Sequence, residues 1–241
     1  MKIKIAHLYY DLINLYGDSG NVKALKMQLE NQGVKVELYN LSLEDEIDFK
    51  KYDVFYIGSG TEENQRVVLN NLLKYTNDIK DAIEDFKFFI CTGNSIELFG
   101  NIISDDSNTY KALGIFNYDT KFVKKRLVSD VILKGNFIKD YIIGFQNRSG
   151  IIESNLMNAF DVIKGFGSNQ NSDKEGIIYK NFFGTYTIGP ILVRNPELLK
   201  YIIKNIINKI EPKHKYKKFS QLLEKSAYDN FVDKNYKDYL K

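Results

Sequence analysis

Cysteine, histidine and proline are scarce in this chain of 241 residues, and tryptophan is absent. It has one cysteine, two histidines, three prolines and no tryptophan. A single cysteine excludes an internal disulfide and fits a reducing compartment. One cysteine and two histidines far apart in the sequence also argue against a structural zinc site, so we expect no metal ion.

Long apolar runs and nucleotide-binding glycine motifs are also missing from the sequence. No apolar stretch approaches the length of a membrane span. The strand pattern begins at Met1, without the apolar segment typical of a secretory signal. Neither a Rossmann fingerprint nor a Walker loop is present. We therefore predict a cytoplasmic protein with no cofactor and no membrane insertion.

The net charge of +3 arises at the C-terminal end of the chain. Residues 211–241 contain eight lysines and five acidic residues, whereas residues 1–210 contain 26 basic and 26 acidic residues. The basic segment also carries apolar side chains, which favour packing over a free tail. A nucleic-acid site is the less favoured alternative. We predict one domain over residues 1–210 and a basic helical tail over residues 211–241.

Segments typical of strands and of helices alternate along the first hundred residues. Apolar or alternating runs indicate strands at residues 2–6, 34–38, 54–57 and 88–90, and residues 62–87 indicate two helices. Residues 18–21 offer N-capping groups for the first helix, with an anion site as the less favoured alternative. The alternation predicts an α/β domain with a mostly parallel sheet. Ligands bind outside the carboxyl ends of such strands, so the loops after residues 57 and 90 should share one crevice.

After residue 101 the pattern changes to short strands joined by turns. We predict strands at residues 126–133, 141–146, 176–180 and 182–186. Residues 165–176 are rich in Gly, Ser, Asn and Asp and indicate a surface loop. Pro196 then opens a helix that should end near Ile210.

The single cysteine, Cys91, follows an apolar strand and precedes the small residues Thr92-Gly93-Asn94. This order is typical of a nucleophile elbow, a sharp strand-to-helix turn that presents a side chain at the edge of a sheet. A thiol at a helix N-terminus would have its thiolate form stabilised by the helix dipole. We therefore predict a cysteine nucleophile, against the alternative of a small buried apolar residue.

Two sets of backbone N–H groups could stabilise an oxyanion formed beside this thiol. One is the N–H of Thr92, and the other lies in the loop Gly58-Ser59-Gly60, where the backbone can approach a substrate closely. A nucleophile with such donors suits acyl transfer from an amide, but this chemistry also needs a base. His7 ends the first strand and is the candidate base near the sheet, although a core histidine is the favoured interpretation. His214 falls in the basic tail.

Seven stretches together resemble the class I glutamine amidotransferases, in particular their cobyric-acid-synthase-like (CobB/CobQ-like) branch. The likeness covers roughly residues 5 to 200 and depends on the order and spacing of the stretches. It implies a single three-layer, flavodoxin-like α/β domain of the class I glutamine amidotransferase type. The stretches are LYGDSGN (15–21), IGSG (57–60), ICTG (90–93), RL (126–127), IGFQN (143–147), KEGI (174–177) and GTYTIGP (184–190).

The resemblance implies a subunit that hydrolyses L-glutamine and passes the ammonia to a Mur-ligase-like (MurT-type) partner. In the relatives, that partner amidates lipid II in peptidoglycan synthesis. The cysteine corresponding to Cys91 is the nucleophile, and the arginine corresponding to Arg126 is associated with glutamine access and binding. We expect Gly58, Gly60 and Thr92 to line the same site.

Three departures from the family's pattern fall around this crevice. The family's base histidine stands just before a Gly-Pro pair, where this chain has Ile188, which cannot carry a proton. The family's elbow reads Cys-Gly-Gly and an aromatic residue, where this chain has Cys-Thr-Gly-Asn, and a further family histidine corresponds to Arg148.

Three hypotheses therefore stay open at this point. The chain is a working glutaminase subunit, with another group in place of the missing histidine. Alternatively, it is a pseudo-amidotransferase that binds and stabilises its partner. A third possibility is a module that binds a different ligand, with an anionic group held by Arg126 or Arg148.

Overall fold

The computed structural model describes residues 1–220 and 222–239, and its strands form two sheets. The strands are β1 Lys2–Leu8, β2 Lys35–Leu41, β3 Val54–Ile57, β4 Phe88–Thr92, β5 Ile102–Ser104, β6 Thr109–Lys111, β7 Thr120–Lys134, β8 Ile142–Ile152, β9 Phe160–Lys164, β10 Lys174–Glu175, β11 Ile177–Tyr179 and β12 Phe182–Thr185. The helices are α1 Ser19–Asn31, α2 Glu62–Leu72, α3 Thr76–Glu84, α4 Ile191–Arg194, α5 Pro196–Ile210 and α6 Leu222–Asn235.

The first sheet confirms the predicted α/β fold with a mostly parallel sheet. Its strand order is β11-β12-β4-β3-β1-β2, and every neighbouring pair is parallel except β11 with β12. The parallel order brings the carboxyl ends of β1, β3 and β4 to one edge. The loops that follow β3 and β4 therefore meet there, as expected for a ligand crevice.

Side chains alternate across the first sheet and build an apolar core on each face. Phe55 and Phe89 belong to the core shared with α2 and α3. Ile5, Tyr56 and Ile90 belong to the core shared with α1 and α5. Helices on both faces of one sheet give the three-layer arrangement.

The second sheet is built from the segment between β5 and β10. Its strand order is β10-β9-β7-β5-β6, and β8 pairs with β7. β7 and β8 form one long antiparallel pair with an irregularity between Phe122 and Leu127. The shorter strands predicted at residues 126–133 and 141–146 lie inside this pair. Several lysines in the first half of β7 hide its continuation in the sequence pattern.

The strand predicted at residues 176–180 begins where the chain crosses between the sheets. Gly176 has a φ of +73° and separates β10, in the second sheet, from β11, in the first. A Cβ at this position would lie 2.9 Å from the carbonyl oxygen of Gly184. Glycine is therefore needed here for both the conformation and the close approach.

The C-terminal segment lies against the rest of the protein through α6. Tyr228 and Tyr236 are buried against residues of β7 and β8, and the Tyr228 hydroxyl donates to the Tyr141 carbonyl oxygen at 2.7 Å. The division into residues 1–210 and 211–241 stays a prediction. Within residues 1–220 and 222–239, no helix combines the length and the apolar character that crossing a bilayer requires.

Candidate functional site

A crevice opens where the carboxyl ends of the first sheet meet the second sheet. Its lining combines the loop after β3, the segment after β4, and residues of β7 and β8. Gly60 and Arg126, both predicted site residues, line this crevice together with Arg148. Further polar lining residues are Ser59, Glu62, Asn94 and Glu97.

The sharp turn after β4 has Gly93 at its apex. β4 ends at Thr92, and a short 3₁₀-helix runs from Gly93 to Phe99. Gly93 has a φ of +62°, a left-handed conformation that residues with a side chain adopt only under strain. The strained residue of such an elbow is where a hydrolase carries its nucleophile. The sequence-based placement of Cys91 at this turn is wrong, because the apex comes two residues later.

Cys91 lies inside β4, and its side chain is fully buried. It belongs to the apolar core that contains Phe55 and Phe89, on the face covered by α2 and α3. Burial raises the pKa of its thiol well above the usual value, opposite to the lowered pKa that a helix N-terminus would give. The structure holds Cys91 as a neutral thiol in the core, so the expectation that it faces the crevice is wrong.

His7 projects from β1 to the opposite face of the sheet. It alternates in step with Ile3 and Ile5, and its ring packs edge-on against Tyr56 at 5.3 Å between centroids. Burial lowers the pKa of its imidazole to about 4, so the ring is neutral at neutral pH. The structure does not bring His7 and Cys91 together, and the interpretation of His7 as a core histidine is confirmed.

The glycine loop after β3 lines the crevice and also packs closely against other parts of the protein. A Cβ on Gly58 would lie 3.0 Å from the Cβ of Asp18. The loop N–H groups are also engaged. Ser59 N–H donates to Asp18 Oδ2 at 2.6 Å, and Gly60 N–H donates to Asn94 Oδ1 at 3.0 Å. Two of the N–H groups in this loop, those of Ser59 and Gly60, are therefore already bonded to side chains of the protein.

The buried Asp18 carboxylate accepts hydrogen bonds both from Thr92, at the end of β4, and from the glycine loop. Its Oδ1 accepts from the hydroxyls of Tyr56 at 2.9 Å and Thr92 at 3.0 Å. Thr92, predicted as an oxyanion donor, thus contributes its hydroxyl to a buried network. Burial raises the pKa of Asp18 to about 6, against the lowering effect of its hydrogen bonds. The capping role predicted from residues 18–21 is wrong for Asp18, whose side chain makes no cap bond to α1.

Ile188, at the position of the family's base, lies beside the apex of the turn. It is buried, and its N–H donates to the Phe145 carbonyl oxygen at 2.9 Å. A Cβ on Gly93 would lie 2.9 Å from Ile188 Cγ2 and 2.5 Å from Ser59 Cβ. Ser59 and Ile188 therefore fill the space that a side chain at the apex would need.

Arg126 stands at the mouth of the crevice and ties the second sheet to α2. Its guanidinium donates to the Glu62 carboxylate, to Ser149 Oγ at 2.9 Å and to Asn147 Oδ1 at 2.8 Å. Partial burial is the largest single influence on the pKa of Glu62 and raises it, but the hydrogen bond and the charge of Arg126, together with hydrogen bonds from Ser149 and the backbone, lower the pKa overall. An anionic ligand group would have to compete with Glu62 for this arginine.

Arg148 is buried at the back of the crevice and is also bonded to protein groups. Its guanidinium lies 3.8 Å from the centroid of the Tyr186 ring. It donates to the carbonyl oxygens of Gly150, Gly167 and Ser168. Because both arginines already have protein acceptors, the hypothesis of an anion-binding module gains no support from their geometry.

Glu97 is a site residue that the sequence analysis missed. It is fully buried in the crevice lining, and its Oε2 accepts from Gln65 Nε2 at 2.6 Å. Burial raises the pKa of Glu97 to about 7, although the hydrogen bond from Gln65 and the charge of Arg148 lower it. A lone glutamate inside the apolar segment 96–99 was the available signal. Across residues 1–220 and 222–239, no group of three or more His, Cys, Asp or Glu side chains could hold a metal ion.

Comparison with known proteins matches most of the chain to one family. Residues 4–196 match the model of the CobB/CobQ-like glutamine amidotransferase domain. The chain is 33% identical over 205 residues to the GatD subunit of lipid II isoglutaminyl synthase (glutamine-hydrolyzing) from Staphylococcus aureus (strain N315), covering 84% of each chain. It is 28% identical over 235 residues to the subunit of the same name from Streptococcus pneumoniae (strain ATCC BAA-255 / R6), covering 96% of this chain and 87% of the relative.

Solved structures share the fold at low sequence identity. A glutamine amidotransferase from Thermotoga maritima has a TM-score of 0.53 and 12% identity, covering 99% of this chain and 94% of that chain. A second glutamine amidotransferase structure has a TM-score of 0.53 and 11% identity, covering 83% of this chain and 98% of that chain. At these identities the likeness concerns the fold alone.

Proposed function

This chain belongs to the CobB/CobQ-like glutamine amidotransferase family, and on that premise we propose that it is a GatD-like subunit without glutaminase activity. It binds and stabilises a Mur-ligase-like (MurT-type) partner in the cytoplasm. The partner amidates lipid II in peptidoglycan synthesis with ammonia that this chain does not produce. Because one fold can host many functions, the geometry of the site, and not the fold, distinguishes hydrolysis from binding.

This proposal rests chiefly on one observation: the apex of the turn is a glycine and therefore has no side chain. Gly93 occupies the strained position, with Ser59 and Ile188 filling the space around it. Hydrolysis of an amide through a covalent intermediate needs a nucleophile there, and a base within hydrogen-bond reach to take its proton and return it to the leaving amine. At this apex the described part of the chain offers neither group, and the N–H groups of Ser59 and Gly60 are already bonded to protein side chains.

A working glutaminase is the second candidate, favoured by 33% identity to a relative named as glutamine-hydrolyzing. It would require the Cys91 thiol to leave the core and ionise. Burial opposes that ionisation by raising the pKa of the thiol. His7 lies on the other face of the sheet and is neutral, so it offers no route for the proton. We therefore rank this candidate second.

Glutamate release from L-glutamine by the purified chain, with and without its co-expressed partner, tests the proposal. The Staphylococcus aureus relative is the positive control, and Cys91→Ala is the matched variant. We expect the wild-type chain and Cys91→Ala to release glutamate no faster than the buffer blank. A rate above the blank that disappears in Cys91→Ala would overturn the proposal in favour of the working glutaminase.

A further inference from the structure

We propose that the side-chain carboxamide of Asn94 occupies the place that the carboxamide of a ligand would take in this crevice. Asn94 thus closes the amide-binding end of the crevice from within. The inference rests on the proposed function, because a chain that still hydrolysed glutamine would have to admit that group.

The hydrogen bonds of Asn94 are those that a primary amide makes when it binds to a backbone segment. Its Oδ1 accepts from Gly60 N–H at 3.0 Å and from Ser59 Oγ at 3.2 Å. Its Nδ2 donates to the Gly60 carbonyl oxygen at 3.0 Å. A primary amide offers one carbonyl acceptor and an NH₂ donor, and both are used here. A free carboxamide would compete for the same three protein atoms.

The position of Asn94 in the turn explains why this pairing matters for ligand binding. Asn94 directly follows Gly93, the apex of the elbow. In an elbow of this type, the groups that bind a reacting carbonyl oxygen are the N–H after the apex and an N–H from a neighbouring loop. Here the neighbouring loop is the one that contains Gly60, and the Asn94 oxygen already accepts from its N–H.

A buried partner from α2 holds Asn94 in this arrangement. Gln65 Nε2 donates to the Asn94 carbonyl oxygen at 2.7 Å and also to Glu97 Oε2 at 2.6 Å. Asn94, Gln65 and Glu97 are all buried. Because the main chain at Asn94 is anchored, its side chain is presented to Gly60 without a large loss of conformational entropy on pairing. An external amide therefore meets a competitor of very high effective concentration.

Binding of L-glutamine, followed by two-dimensional NMR of ¹⁵N-labelled full-length chain, tests this inference separately from hydrolysis. Asn94→Ala removes the internal carboxamide. Asn71→Ala is the matched control, because Asn71 also uses both ends of its amide. Its Nδ2 donates to the Leu43 carbonyl oxygen at 3.2 Å, and its Oδ1 accepts from the Tyr9 hydroxyl at 2.9 Å. Asn71 is not among the residues that line the crevice.

We expect the Gly60 amide resonance of Asn94→Ala to shift saturably with L-glutamine, with a Kd at least about tenfold lower than in wild type and in Asn71→Ala. Equal responses of all three proteins would overturn the inference. If Asn94→Ala does not fold, amide hydrogen exchange in the wild type decides. A Gly60 N–H that exchanges as fast as an unprotected loop amide would show that the pairing does not form, and slow exchange would support it.

The two proposals fail in different ways. Glutamate release by the wild type that depends on Cys91 would overturn the proposed function. A wild type that binds L-glutamine at Gly60 as tightly as Asn94→Ala does, but releases no glutamate, would overturn only the role given to Asn94. The NMR titration reports binding alone and the release assay reports hydrolysis alone.

Discussion

At the scale of single residues, Gly93 distinguishes this crevice from the site of a hydrolase. A left-handed backbone at the end of a buried strand is costly for most residues, and such strain persists where it positions a reactive side chain. Glycine adopts the conformation freely. The turn therefore has the shape of a nucleophile elbow but carries no side chain at its apex. Ser59 and Ile188 have closed the space left at the apex.

We expect that restoring the site requires four changes together: Ser59→Gly, Gly93→Cys, Asn94→Gly and Ile188→His. The first makes room for a Cβ at position 93, the second supplies a thiol, the third frees the Gly60 N–H, and the fourth supplies a base. The fourfold variant should release glutamate at least about 10²-fold faster than wild type, since a positioned base alone contributes about 10²–10⁴-fold. Gly93→Cys alone should stay inactive and lose about 2 kcal/mol of unfolding free energy to strain and crowding.

The control for this prediction keeps Gly93 and makes the other three changes. Its only thiol is the one in the core, at Cys91. We expect no glutamate release from this threefold variant. A rate equal to that of the fourfold variant would show that Cys91 can reach the substrate, and the assignment of the apex to Gly93 would be wrong.

The buried carboxyl of Glu97 makes the stability of the protein depend on pH. Burial raises the pKa of Glu97 from the usual 4.5 to about 7, so the folded state binds this proton more tightly than the unfolded state. The stabilising contribution is therefore complete below about pH 4.5 and is lost as the pH rises through about 7. Urea unfolding of wild type and Glu97→Gln across this range should show wild type losing roughly 3 kcal/mol relative to the variant.

Glu62, at the mouth of the same crevice, provides a control, because its effect on stability should change with pH in the opposite direction. Burial raises the pKa of Glu62, but its hydrogen bonds and the charge of Arg126 together lower the pKa overall. Its contribution should therefore grow as the pH rises from the lowered folded-state pKa to the unfolded-state value of 4.5 and stay complete above it, so that wild type gains stability relative to Glu62→Gln over that lower range. The same trend in both variants would contradict the assignment of these two pKa shifts.

At the scale of secondary-structure elements, the sequence predicts regular segments well and the turns between them poorly. The helix predicted from Pro196 to about Ile210 is α5, because proline at a first turn and a sustained apolar face are strong local signals. The strand predicted at residues 54–57 is β3 for a similar reason, since a short apolar run fits a strand buried on both faces.

Where local patterns do not determine structure, the predictions fail. The sequence does not reveal whether β4 ends before Cys91 or after Thr92, and this choice of two residues moves the thiol from the crevice to the core. Alternation along a strand puts successive side chains on opposite faces, so a small error in the end of a strand changes which groups meet. The pairing of Asn94 with Gly60 likewise depends on a tertiary contact between two loops. Of the predicted site residues, Gly60 and Arg126 line the crevice. Cys91 lies in the core instead, and the left-handed position of the turn falls at Gly93.

At the scale of the whole molecule, the fold and the crevice geometry support our proposal that this chain acts by association with a partner. The first sheet, both layers of helices and the crevice are all present. A partner that binds only the folded chain stabilises it by mass action, by about 2.7 kcal/mol at a hundred times its Kd. That coupling would give a chain without glutaminase activity a physical reason to keep the fold.

We therefore expect the chain to co-purify with a Mur-ligase-like partner, and the complex to amidate lipid II with ammonium salts but not with L-glutamine. Ammonium supplies in solution the nitrogen that a glutaminase would otherwise deliver, so the rate should follow the ammonium concentration. The measurement is amidated lipid II formed under each nitrogen source, with the Staphylococcus aureus relative and its own partner as the control that uses glutamine. Cys91→Ala should leave the ammonium-dependent rate unchanged, because the thiol is a core residue. Purification of the chain as a free monomer would contradict this prediction, and so would glutamine-driven amidation that Cys91→Ala abolishes.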